Sequence, residues 1–109
     1  MPRGPENDFQ KAVLDVLRIY GWTTAHFRPA MTKHGWRTPV SGDGKGFPDI
    51  VACGHGRTIF RELKAAKGRL RPEQTMWLEL LERCGADVAV WTPDMWTEIV
   101  SDLGGAVAA

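Results

Sequence analysis

The sequence is poor in cysteine. Cys53 and Cys84 are the two it has, too few for a disulfide framework, and no Cys-x-x-Cys pair suggests structural zinc. It contains no apolar run approaching the ~20 residues of a membrane-spanning helix. Its opening stretch, Met-Pro-Arg-Gly-Pro-Glu-Asn-Asp, lacks the apolar segment of a secretory signal. A soluble chain of a reducing cytoplasm is the expectation. Compositional bias is absent too: 43% hydrophobic and 25% charged residues are near the averages of soluble globular domains, which excludes a disordered or fibrous chain. No internal repeat is present. A length of 109 residues leaves room for one compact domain and no second one.

Net charge is small, +1, but it is arranged. Arg28, Lys33, Arg37 and Lys45 stand against Asp43 in residues 26–45, a net +3. Arg57, Arg61, Lys64, Lys67, Arg69 and Arg71 stand against Glu62 in residues 57–71, a net +5. Residues 72–109 carry Arg83 against seven acids, a net −6. A basic middle beside an acidic C-terminal third suits a small enzyme acting on a polyanion, because the basic part attracts phosphates and the acidic part limits indiscriminate binding.

Phe9, Val13, Val16, Leu17 and Tyr20 follow the i, i+4, i+7, i+8, i+11 stripe of an amphipathic helix. This predicts a helix over 6–20 that stops at Gly21. Trp22 to Arg28 reads as a strand, and residues 29–46, with Pro29, Gly35, Pro39, Gly42, Gly44 and Gly46, as a long loop. Phe47 to Cys53 and Thr58 to Lys64 read as a strand pair around the turn Gly54–Arg57. Pro72 opens a helix whose stripe is Trp77, Leu80, Leu81 and Cys84, ended by Gly85. Ala86 to Trp91 reads as a fully buried strand, and Asp94 to Leu103 as a last helix. The order α-β-β-β-α-β-α gives an α/β domain with a mixed central sheet flanked by helices, its core about 6–103 and its tail, 104–109, frayed.

If the hairpin turn centres on His55 and Gly56, Cys53 faces Thr58, Val51 faces Phe60 and Asp49 faces Glu62. Opposed residues point to one face with Cβ atoms roughly 4.5–5.5 Å apart. Two carboxylates so placed repel, and one stays protonated unless a cation sits between them. Lys64, two residues beyond Glu62, shares that face. Ile59, Phe60 and Leu63 make the strand mostly apolar, so these charges interrupt a half-buried sheet and need a partner or an ion. Hard oxygen ligands suit magnesium or manganese, which keep waters for chemistry. His26, His34 and His55 are too scattered for a metal triad.

Gly46-Phe47-Pro48-Asp49-Ile50-Val51, then Glu62-Leu63-Lys64, then Gly68 and Gln74, resembles the PD-(D/E)XK nuclease superfamily, and within it the VRR-NUC domain (virus-type replication–repair nuclease), small stand-alone versions of which occur in phages. The resemblance runs from about Glu6 to Trp91. It implies a restriction-endonuclease-like core and hydrolysis of DNA phosphodiesters with one or two Mg²⁺ or Mn²⁺ ions per site. It also implies Asp49 and Glu62 as metal ligands, Lys64 near the attacking water, and a helix-borne acid matched by Glu6, with Asp8 close by as the other candidate. Gln74 matches the family's glutamine at the start of the following helix. Branched DNA, as cut by Holliday junction resolvases, is the implied substrate, and a homodimer, without membrane association, the implied assembly. In a phage-encoded protein the compartment is the host cytoplasm.

Around that site Arg61, Lys67, Arg69 and Arg71 are expected to contact phosphates, as are Arg28, Lys33, Arg37 and Lys45 on the long loop. Gln74 is expected to orient substrate or water. Trp36 is expected to stack on a base or to pack as a lid, Trp77, Trp91 and Trp96 to be core or dimer contacts, and both cysteines to be buried thiols. The alternative reading is a non-catalytic DNA-binding or interaction module of the same fold.

Overall fold

The computed structural model describes residues 5–27, 30–32, 35–37 and 41–104, with side-chain surroundings for 8–27 and 41–104. The first helix, α1 (Pro5–Ile19), buries Phe9, Val13 and Leu17, the i, i+4, i+8 line of its stripe. Strand β1 (Thr23–His26) follows. The segment expected to be a loop contains a small antiparallel pair, β2 (Ala30–Thr32) and β3 (Gly35–Arg37). It forms a sheet of its own, separate from the main one. Three-residue strands carry too little pattern to announce themselves among prolines and glycines.

β4 (Ile50–Gly54) and β5 (Arg57–Leu63) form the expected hairpin. Its register places Val51 opposite Phe60 and Cys53 opposite Thr58. His55 (φ 52°) and Gly56 (φ 75°) both take positive φ at the turn, as a two-residue turn matched to strand twist requires. α2 (Pro72–Arg83) then crosses to β6 (Asp87–Trp91), which pairs parallel with β5. A 3-10 turn (Pro93–Met95) leads into α3 (Trp96–Gly104). The main sheet is mixed, in the order β1-β4-β5-β6. Of the tail expected to fray, 104–109, Gly104 instead closes α3, and residues 105–109 lie outside the described residues.

Alternation along β5 assigns the layers. Ile59, Arg61 and Leu63 point to one face, where Ile50, Ala52, Trp91, α1 and the Ile99 and Leu103 side chains of α3 complete the core. Each fully buried aliphatic side chain there contributes about 1.5–3 kcal/mol. Phe60 and Glu62 point to the other face, under α2. The inward line of α2 is Gln74, Trp77, Leu78 and Leu81, whereas Leu80 and Cys84 of the expected stripe are exposed. β6 is an edge strand with Val88, Ala89 and Val90 only half-buried, not the fully buried strand its composition suggested. Both cysteines are exposed, contrary to expectation: Cys53 lies beside the hairpin turn, opposite Thr58, and Cys84 caps α2.

Candidate active site

Asp49 precedes β4, held by the buried Pro48 before it and Ile50 after it. Its carbonyl accepts the Phe27 N–H at 2.9 Å, which continues the β1–β4 ladder one pair beyond His26 and Ile50. The register that pairs Ile50 with Arg61 continues to Asp49 opposite Glu62, and the Asp49 Oδ2 atom accepts the Leu63 N–H at 3.0 Å. A side-chain oxygen thereby takes over a ladder bond where regular pairing ends, and it fixes the carboxylate beside residues 62 and 63.

Glu62 is 1% exposed. A carboxylate so buried must be held by donors or a cation. Gln74 Nε2 donates to its Oε2 at 3.1 Å, and Lys64 Nζ lies 4.0 Å from the same oxygen. Gln74 is itself buried, and its Oε1 accepts the Arg71 N–H at 2.8 Å, the return half of a capping box. The start of α2 therefore braces Glu62. Gln74 is a buried strut that holds Glu62.

A second brace holds the approach to Asp49. Trp77 Nε1 donates to the Asp43 carbonyl at 2.9 Å, and Phe47 packs edge-on against Trp77 at 5.1 Å. Gly46 has φ 88° and sits so close to α2 that an added Cβ would lie 2.6 Å from the Glu73 carbonyl carbon. Glu73 bonds Arg71 Nε at 3.0 Å and lies 4.0 Å from Lys45 Nζ. Its own backbone N–H, then Arg71 and Lys45, hold its carboxyl below the usual range against a smaller opposing effect of burial. Trp77 is thus a clamp on the loop leading to Asp49. Its place at i+3 from Gln74, on the inward side of α2, was the signal available for this.

The four residues Asp49, Glu62, Lys64 and Gln74 are brought together. Lys45, Lys67, Arg69 and Arg71 are exposed, Lys45 and Arg71 sharing Glu73. Arg61 is a correction. It is 3% exposed and on the core face, with Nη1 donating to the Asp87 carbonyl at 2.8 Å and Nη2 to Asp87 Oδ1 at 2.8 Å. It stacks 4.9 Å from the Trp91 ring and does not reach the surface that would meet phosphate. Arg57, also on β5, ties the same Asp87 to Asp102. Arg28 and Lys33 lie outside the described residues, as do the side chains of Arg37 and Trp36 on β3 and of Glu6 in α1. His55 is the turn residue expected, its Nε2 2.7 Å from the Tyr20 carbonyl.

Among the described residues no group of three or more His, Cys, Asp or Glu side chains could hold a metal, so Asp8 does not join Asp49 and Glu62. Two carboxylates braced from behind, with a lysine alongside, still fit the chemistry of Mg²⁺ or Mn²⁺. Such ions accept a few hard oxygen ligands and retain waters for the rest.

The profile of the VRR-NUC domain matches residues 28–94, the segment that holds Asp49, Glu62, Lys64 and Gln74. No curated protein matches the chain. Among solved structures it is similar to Hjc of Archaeoglobus fulgidus, a Holliday junction resolvase from an archaeal hyperthermophile. Identity is 23% over 79% of this chain and 67% of that one, with a TM-score of 0.46. The matched segment takes in well over half of the residues, and the chain belongs to the VRR-NUC family of nuclease domains.

Proposed function

We propose that the protein is a metal-dependent DNA endonuclease that cuts branched DNA, with Asp49 and Glu62 holding Mg²⁺ or Mn²⁺ and Glu6 as a further ligand from α1. The observation that carries this reading is the meeting of Asp49, Glu62 and Lys64 at the end of one strand pair, braced by Leu63 and Gln74. An ion bound there would lower the pKa of a coordinated water and offset charge on the phosphate oxygens. The chain's own groups do the rest. The Leu63 amide and Gln74 fix the direction of the two carboxylates. Lys64 supplies a point charge beside Glu62 for the attacking water or the developing phosphate charge. Lys45, Lys67, Arg69 and Arg71 hold the phosphate backbone without reading sequence. A symmetric dimer belongs to this reading, since two cuts in one junction call for two sites.

The test is cleavage of four-way junctions, flaps, duplex and single strands with Mg²⁺ or Mn²⁺. Branched DNA should be cut, and only with the ion present. Asp49→Ala, Glu62→Ala and Lys64→Ala should each fall to background while remaining folded by circular dichroism. Unchanged turnover in any one of the three contradicts the assignment. Binding of junctions without cleavage under every ion would point instead to a non-catalytic module.

A further inference from the structure

The sheet face that bears Glu62 carries aromatic side chains immediately beside the acids. Phe27 pairs with Asp49 through its amide at 2.9 Å, and Asp49 in turn stands opposite Glu62, so Phe27, Asp49 and Glu62 follow one another across three strands on one face. Phe27 is 39% exposed. Its ring meets Phe47 edge-on at 5.7 Å. Phe47 is wedged between Phe60 at 6.1 Å and Trp77 at 5.1 Å, and Trp77 is pinned to the Asp43 carbonyl. The outermost ring is therefore backed by a chain of edge-on aromatic contacts and partly open to solvent.

Core packing does not account for Phe27, which belongs to the edge strand's end and lies outside the buried cluster. Exposed cations stand on the segments that flank Asp49 and Lys64 in the chain. The Lys45 side chain is 81% exposed, and exposed Lys67 and Arg69 flank Gly68, where an added Cβ would lie 3.3 Å from Lys64 Cδ. Positive groups that follow a phosphate backbone, together with an aromatic face for stacking, are the features that recognise single-stranded nucleic acid. A paired base has both faces covered by its neighbours, so only an unpaired one can use such a ring.

We propose that Phe27, backed by Phe47, is a stacking seat for an unpaired base adjoining the phosphate that is cut. The seat makes the enzyme select DNA with an unstacked nucleotide at a branch point. This rests on the nuclease reading above and specifies its substrate.

The test uses a duplex with a single-stranded tail carrying 2-aminopurine as the first unpaired nucleotide, bound in EDTA so that nothing is cut, against a fully paired duplex of equal length. Wild-type protein should change the 2-aminopurine fluorescence. Phe27→Ala should abolish the change and bind tailed DNA roughly five- to hundred-fold more weakly, with duplex binding within about twofold. Phe27→Trp should restore both. Equal losses on the two DNAs, no fluorescence change with wild type, failure of wild type to bind the tailed DNA, or full affinity in Phe27→Ala would overturn the seat. Adding Mg²⁺ to the wild-type mixtures separates the seat from the nuclease reading. Cutting without a fluorescence change sinks the seat alone, while a fluorescence change without cutting sinks the nuclease reading and leaves the seat standing.

Discussion

Replacing Arg61 with alanine distinguishes a core strut from a DNA contact. Its guanidinium gives up hydrogen bonds to the Phe60 carbonyl at 3.0 Å, the Asp87 carbonyl at 2.8 Å and Asp87 Oδ1 at 2.8 Å, together with its place 4.9 Å from the Trp91 ring. Hydrogen bonds to charged groups are worth about 1.5–3 kcal/mol each, and a desolvated cation–π contact about 2 kcal/mol. Two effects reduce the sum. Arg57 stays on Asp87 at 2.7 Å and on Asp102 at 3.1 Å, so no acid is stranded, and the cost of burying the guanidinium disappears with it. A net loss of about 2–4 kcal/mol remains, or a fall in Tm of roughly 10–25 °C for a domain of this size. Arg61→Met, which fills the volume without charge, should recover most of it. The assay is thermal melting by circular dichroism alongside DNA affinity measured against salt. Arg61→Ala should melt early, while Arg61→Met, stable enough for both, should keep the wild-type salt slope. A melting point within about 2 °C of wild type, with a slope shallower by about one, would refute the placement.

Gln74→Ala removes the donor to Glu62 and the acceptor for the Arg71 amide, so urea unfolding should show a loss of about 1–3 kcal/mol, and cleavage should slow even where the variant is fully folded. Trp77→Phe keeps the ring against Phe47 but drops the bond to Asp43. Urea titration should place it about 1 kcal/mol below wild type, well above Trp77→Ala. Asp87 gives a pH signature. Burial raises its carboxyl, but hydrogen bonds and charge from Arg57 and Arg61 together outweigh that and hold it below its usual 3.8. A depressed carboxyl stabilises the fold above the unfolded pKa, and the contribution is lost as pH falls from 3.8 through the folded value. Tm should therefore fall below about pH 3.8, and Asp87→Asn should start lower at neutral pH and lose less on acidification.

The parts of the fold that local chemistry dictates could be read in advance. The 9, 13, 17 stripe of α1, Pro72 at the start of α2 and the His55–Gly56 turn all stand where the spacing put them. The turn mattered most, because it sets the register that carries Asp49 towards Glu62. Other features depend on tertiary neighbours. Arg61 read as a surface base because it lies in a basic run, yet it alternates with Ile59 and Leu63 and so shares their face. The acids that neutralise it, Asp87 and Asp102, come from β6 and α3, distant in sequence. Gln74 carried a legible cue, since a glutamine at the third helical position is the usual partner of a capping box. Its second bond, to Glu62, needed the α2–β5 packing. The β2–β3 pair and the exposure of Cys53 and Cys84 likewise follow from where the chain folds back, not from residue type.

The central claim is that Asp49 and Glu62 act as one ion-holding pair. Calorimetric titration of Mn²⁺ into wild type, Asp49→Asn and Glu62→Gln tests it without DNA or turnover. Wild type should bind the ion, and each variant, losing one charged ligand but little volume, should bind at least about tenfold more weakly. Wild-type affinity in either variant would contradict the account.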